Sequence, residues 1–427
     1  MVEMTNSEEM LTALEDNNLE AADKFFKQAL TADDPDTLYS LAEELYAMGF
    51  LEQSEAIYQQ LLKQFPDEDQ IRTTLADIAV SNGQHDEALA YLSDITPESN
   101  AYAESLLTAA DVYQTMGLPE VSEQKLLTAI RAFPEEPVMQ FALAELYFEL
   151  GEYRKAANYY EALIDQDVTE LGQVDIQKRL ATSYASSGAF EEALEIYESL
   201  RQEFLTADDQ FQMGFLYLQI KDYERSIKLL TALQKSDPQY TSLYAYLATA
   251  QAAINQLEAA LVTVQTGIGY DQYSEVLYQK GSELALQLGD DVVAEQMLTK
   301  ALAINPDNMG EINALSAVYR RQNRHAENIS LVQEAIENHK PTAELYWSLA
   351  QSQFAEEQMT AARENYLLAY PELKADPEFL HDLIRFFQEM AQVPELLSAL
   401  EQYLKLKPND LDMQEMYEDY KSADSSD

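Results

Sequence analysis

A small residue returns at one fixed interval along most of this chain. Ala42, Ala76, Ala110, Ala144, Ala181, Gly214, Ala248, Ser282, Ser316 and Ala350 are separated by 34 residues, except for steps of 37 and 33 on either side of Ala181. A second series, twelve residues later, keeps the same steps: Ser54, Ala88, Ser122, Ala156, Ala193, Ser226, Ala260, Ala294, Asn328 and Ala362. A period in this range means a stack of identical supersecondary units, not one large core. Two small residues per period fit two helices that cross closely at one point. Larger apolar residues fill the flanks at helical spacing. Leu41, Leu75, Leu143, Leu180, Leu247, Leu315 and Leu349 precede the first series by one residue. Tyr113, Tyr147, Tyr184, Tyr217 and Tyr319 follow it by three, and Tyr58, Tyr160, Tyr197 and Tyr366 follow the second by four. Gly49, Gly83, Gly117, Gly151, Gly188 and Gly289 mark the turn within each hairpin, where a positive φ ends the first helix. Pro66, Pro134, Pro238, Pro306 and Pro408 close units, because proline cannot continue a helix.

These residues resemble the tetratricopeptide repeat (TPR), most closely in YRKAANYYEAL at 153–163 and FEEALEIYESL at 190–200. More narrowly, the chain is similar to the long cytosolic multi-TPR proteins of Gram-positive bacteria, the YpiA-like group. The resemblance implies an all-α, right-handed superhelix of about twelve helix–turn–helix repeats. The expected organisation is an N-terminal array over 3–170 with a degenerate first unit, middle units over 174–274 and C-terminal units over 275–410. A capping helix over 411–420 and a disordered tail over 421–427 follow. The first unit keeps Ala22, Phe26 and Ala29; the last has Ile384 and Leu396 at the small positions, which predicts a wider helix pair. Val168–Val174 supplies the extra residues before the sixth unit. Gly267–Ser274, with Gly281 beyond it, is either a loosely packed repeat or a hinge.

Composition removes several classes of function. With 76 acidic residues against 27 Lys and Arg, the net charge is −49, which repels nucleic acid and anionic membrane surfaces and favours basic partners. No cysteine is present, so disulfide, zinc-thiolate and thiol chemistry are excluded. No apolar run is long enough to span a membrane, and the N-terminus lacks a signal-peptide pattern; the expected location is cytoplasmic. His85, His325, His339 and His381 are far apart and form no metal-ligand motif. The segment from Gly267 to Gln272 lacks the third glycine of a dinucleotide loop, and Asn305–Gly310 has Ser316 where a calcium loop needs glutamate. No catalytic module, metal or cofactor is expected.

Function must then lie on a surface. The resemblance places unit positions 2, 5, 9, 12 and 13 on the concave face that binds peptides or partner helices. Four acids fall at position 9, Glu43, Asp77, Asp111 and Glu145, as a ladder flanked by Tyr39, Tyr46, Phe141 and Phe148. Such a ladder suits a basic segment, and simple exposure of acids in an acidic chain is the alternative. Phe211 and Phe215, with Leu218, form an apolar stretch, exposed in an open groove or core in a tight one. Arg320 and Arg321 cluster with Arg324, and Trp347, Phe354, His381 and Arg385 follow. These residues fit a second sub-site for an acidic or C-terminal carboxylate segment, with internal salt bridging as the alternative. The expected function is a scaffold that binds proteins or peptides, or else a peptide sensor that changes curvature. Oligomeric state is open.

Overall fold

The computed structural model describes residues 4–201, 205–338 and 341–424. Nearly all of it is helical hairpins, twelve among the described residues. Contacts divide the chain into two compact units, residues 1–201 and 202–427. In the first, the hairpins are α1 (Asn6–Glu15) with α2 (Leu19–Ala32), α3 (Pro35–Ala47) with α4 (Leu51–Gln64), and α5 (Asp69–Ser81) with α6 (His85–Ser93). Then come α7 (Tyr102–Thr115) with α8 (Pro119–Ala132), α9 (Pro137–Glu149) with α10 (Tyr153–Asp165), and α11 (Ile176–Ser186) with α12 (Phe190–Ser199). In the second, α13 (Ala207–Gln219) pairs with α14 (Tyr223–Ser236), α15 (Leu243–Ala253) with α16 (Leu257–Tyr270), and α17 (Glu275–Leu288) with α18 (Asp291–Ile304). After these, α19 (Met309–Arg321) pairs with α20 (His325–Asn338), α21 (Ala343–Ala355) with α22 (Met359–Leu373), and α23 (Pro377–Glu389) with α24 (Val393–Leu406). The last helix, α25 (Leu411–Asp424), runs past the expected cap boundary at 420; residues 425–427 and His339 lie outside the described residues.

The small residues do what their spacing predicts. The whole first series is buried, as is the second. Two of the serines on the second helix also satisfy a carbonyl of the first: Ser54 Oγ donates to Ala42 O at 2.9 Å and Ser226 Oγ to Gly214 O at 2.8 Å, whereas the buried Ser122 hydroxyl makes no such bond. At Gly214 the approach is so close that a Cβ would lie 2.5 Å from Leu230 Cδ2. In the twelfth hairpin Ile384 and Leu396 are themselves buried.

Each hairpin closes in the same way. A residue with positive φ follows the first helix, and the next N–H bonds back to a carbonyl in the last turn of that helix, as Phe50 does to Leu45 O at 2.8 Å. Glycine fills the turn at the six predicted positions, Gly49 to Gly289. The other hairpins put Asn17, Lys221, Asn255, Asn323, Glu357 and Ala391 into the same left-handed conformation, where a Cβ is unfavourable.

Two irregular stretches acquire definite structure. The inserted residues form a small antiparallel ribbon, Glu170–Leu171 with Val174–Asp175, turning at Gly172 with φ +62°. Gly267 and Gly281 sit inside continuous helices and are packed, not slack. A Cβ on Gly267 would meet Tyr244 at 2.7 Å, and one on Gly281 would meet Met297 and Val264 at 3.2 Å. Their missing side chains are filled by neighbours, the opposite of what a hinge requires.

Candidate functional site

The candidate residues lie on the first helix of each hairpin. Tyr39, Glu43 and Tyr46 are spaced by four and three residues on α3, so they share one face. Glu43 and Asp111 are exposed, Tyr46 is 37 % exposed, and Asp77 is half-buried. None of these three acids forms an ion pair among the described residues. Burial, then the charge of Glu104, lifts the Asp77 carboxyl to about 6; Asp111 adds to the rise and the Thr108 hydroxyl opposes it. Burial raises the Tyr46 phenol, and the charge of Asp77 raises it further. Tyr39 rises through burial and then through Glu43, Glu68 and Glu104. Glu43, Asp77 and Asp111 therefore stand on α3, α5 and α7 without an ion pair among the described residues; the one arginine of α5, Arg72, is taken by Asp69 at 3.0 Å.

Glu145 does not belong to this set, which corrects the four-acid ladder. Its carboxylate takes a bidentate pair from Arg179, Nε to Oε1 at 3.0 Å and Nη2 to Oε2 at 2.8 Å. Tyr160 Oη donates to Oε1 at 2.5 Å. The same guanidinium stacks over Phe148, 4.5 Å from its ring centre, so that Phe148 too is engaged internally. Phe141 is half-buried against the core around Leu143.

The apolar stretch is half-buried. Phe211 packs on Tyr240 and Tyr246 with ring centres 5.2 and 5.3 Å apart, and Phe215 meets Tyr246 edge-on at 5.6 Å. The open apolar patch is thus covered on one side by tyrosine rings.

The arginine cluster also divides. Arg321 pairs with Asp291 at 2.5 Å, and Arg324 pairs with Glu295 at 2.6 Å and Glu327 at 3.0 Å while stacking on Tyr319. For these two, internal salt bridging is the outcome, and Arg321 leaves the candidate set. Arg320 is different. It is half-buried, its Nη1 donates to Gln351 Oε1, and its Nε is buried without a partner. Burial pulls its pKa down, against the pull of Asp382. Trp347 Nε1 donates to Asp382 Oδ2 at 2.9 Å, and Tyr366 Oη donates to the same oxygen at 2.7 Å. Arg385 is exposed and lies 5.5 Å from the ring centre of Phe354, which itself packs edge-on against Phe386. His381 is exposed, 6.3 Å from the Tyr403 ring centre.

Sequence reasoning missed Arg179, Tyr246 and Asp382. All three stand at position 6, two residues before the small position of their own unit (Ile384 in the case of Asp382) and outside the positions the resemblance calls inward. Each reaches back to an inward residue of the preceding hairpin: Arg179 to Glu145, Tyr246 to Phe211 and Phe215, Asp382 to Trp347. At these three interfaces the covering residue stands at position 6. Opposite Glu43, Asp77 and Asp111 it holds Thr74, Thr108 and Ala142, which carry no charge.

Among the described residues no group of three or more histidines and acids is placed to hold a metal ion, and no helix is long and apolar enough to cross a membrane. A cavity of about 540 Å³ beside Val292, Gln296 and Lys300 is lined by none of the candidate residues, though Glu295 on its wall pairs with Arg324.

The family model for YpiA-like tetratricopeptide repeats matches residues 114–168, and that for YpiA-like C-terminal tetratricopeptide repeats matches 341–410. A third, for the ARM repeat of tetratricopeptide repeat protein 21, matches 4–116. The chain is 34% identical over 365 residues to the TPR repeat-containing protein YpiA of Bacillus subtilis (strain 168), covering 86% of each. It is 25% identical to human tetratricopeptide repeat protein 21A over 47% of this chain and 15% of that one. Among solved structures, the C-terminal part of a TPR repeat-containing protein from Cytophaga hutchinsonii is 18% identical with a TM-score of 0.47, over 57% of this chain and 99% of that one.

Proposed function

The chain belongs to the YpiA-like family of tetratricopeptide-repeat proteins, and from that premise we propose that it is a non-enzymatic scaffold that holds a basic segment of a partner protein against α3, α5 and α7. The observation that carries this is the contrast at position 9. Glu145 is neutralised by a bidentate arginine, whereas Glu43, Asp77 and Asp111 stand 34 residues apart with no ion pair among the described residues. Keeping Asp77 charged at neutral pH, with its carboxyl lifted to about 6, is unfavourable to the free protein. A bound Lys or Arg relieves that cost, so binding gains what folding loses. Tyr39 and Tyr46 on the same face offer rings to the cation. The net charge of −49 adds long-range attraction for cationic segments. Residence in the cytoplasm is part of this proposal and is checked by fractionation.

The test is titration of an amidated Lys/Arg peptide into the full chain. The Glu43→Gln/Asp77→Asn/Asp111→Asn variant should bind it at least tenfold more weakly, and wild-type affinity should fall as salt rises. Equal affinity of variant and wild type would refute the groove assignment.

A further inference from the structure

In a chain with 76 acids and 27 Lys and Arg, an arginine within reach of α19, α21 or α23 would ordinarily find a carboxylate. Arg321 and Arg324 do. Arg320 and Arg385 do not: among the described residues neither forms an ion pair. Arg320 is held by the neutral amide of Gln351, and Arg385 by the ring of Phe354. The acid that lies near both, Asp382, forms no ion pair among the described residues. One of its oxygens is taken by two neutral donors, the Trp347 indole N–H and the Tyr366 hydroxyl. Both arginines and Asp382 nonetheless act on the Tyr366 hydroxyl, so the three charges share one neighbourhood. Two guanidiniums against one carboxylate leave a local positive spot on a protein that is acidic elsewhere.

We infer that this spot on α19, α21 and α23 is a docking site for an acidic segment of a partner protein, bound through side-chain carboxylates to Arg320 and Arg385. Charge complementarity selects the occupant: the site carries the sign opposite to its surroundings, and guanidinium forks match carboxylates. Asp382 keeps the two arginines from repelling each other in the empty state. Its fixed oxygen also holds Trp347 in place beside them. The inference rests on the scaffold proposal only for the class of occupant, a protein segment. The two binding events involve residues of opposite charge, so either can fail alone.

Trp347 is the only tryptophan in the chain, so its fluorescence reports on this site and not on α3, α5 or α7. A glutamate-rich peptide, acetylated and amidated so that its side chains are its only carboxylates, is titrated into the full chain. The expected result is a saturable change in Trp347 emission, with affinity lowered about tenfold or more in Arg385→Gln, as loss of a charged hydrogen bond predicts. Arg385 is exposed, so that variant folds; Arg320→Gln should deepen the loss. The amidated Lys/Arg peptide should leave the emission unchanged. No saturable change, a change retained in Arg385→Gln, or a response confined to peptides with a free C-terminus would each overturn the assignment.

Discussion

Replacing Asp77 by asparagine should make the protein more stable and bind worse. Four groups face the carboxylate: Glu104, Thr108 and Asp111 on α7, and Tyr46 on α3. Its rise from 3.8 to about 6 corresponds to about 3 kcal/mol at about 1.4 kcal/mol per pH unit. Solvent screening of a half-buried group lowers this to about 1–2 kcal/mol. The sign follows from proton binding. The folded state holds this proton more tightly than the unfolded chain, so stability falls as pH rises between about 4 and about 6 and stays reduced above that. A neutral amide at this position carries no such cost. Hydrogen exchange of the α5 segment should therefore be about 5- to 30-fold slower in Asp77→Asn than in wild type at pH 7.5. At pH 4 or below the two proteins should exchange alike. Local exchange is the right measure because a repeat array need not unfold as one unit. Faster exchange in the variant, or one ratio at both pH values, would refute the argument. The same variant should bind the basic peptide more weakly, which separates a functional acid from a merely exposed one.

The rule at position 6 predicts that Ala142→Arg, which places an arginine opposite Asp111 as Arg179 stands opposite Glu145, weakens basic-peptide binding about tenfold; calorimetric titration checks it. Glu145→Ala should cost about 2–3 kcal/mol by leaving Arg179 and the Tyr160 hydroxyl without their acceptor, while peptide affinity stays unchanged. Gly267→Ala should destabilise by about 1–3 kcal/mol, since its Cβ would meet Tyr244 at 2.7 Å; a hinge would instead stiffen and lose exchange in α16. Ala391→Gly should stabilise by about 0.5–1 kcal/mol, because Ala391 holds φ +51° in its turn, read as a higher melting temperature.

Most of the repeat was legible because its causes are local. A close helix crossing needs a small side chain wherever it occurs, so Ala76 and Ala88 announce the hairpin without knowledge of the rest. A left-handed turn favours glycine, so Gly83 and Gly117 announce its bend. Where another residue tolerates the strain, as Lys221 and Glu357 do, the turn was legible only from its place in the period. The ribbon at Glu170–Asp175 was not legible, since four paired residues leave too short a pattern. Nor was the tight fit at Gly267, because the atoms that fill it belong to Tyr244 and Leu277.

The candidate site shows the same division more sharply. The period alone put Glu43, Asp77, Asp111 and Glu145 at equivalent positions, and in sequence they are indistinguishable. Their surroundings differ because the following hairpin presents a different residue to each, and a neighbour across a helix–helix interface has no fixed signature in a single unit. Arg179 cancels one acid, and Thr108 leaves another charged and strained. Likewise Arg320, Arg321 and Arg324 read as one cluster, yet Asp291 and Glu295 silence two of them while Asp382, tied to Trp347 and Tyr366, leaves the third open. By itself the sequence determined a stack of helical hairpins and which side chains each first helix offers. Only the tertiary structure decided which of those charges meet a counter-charge within the protein, because that depends on distances between units that the period does not encode.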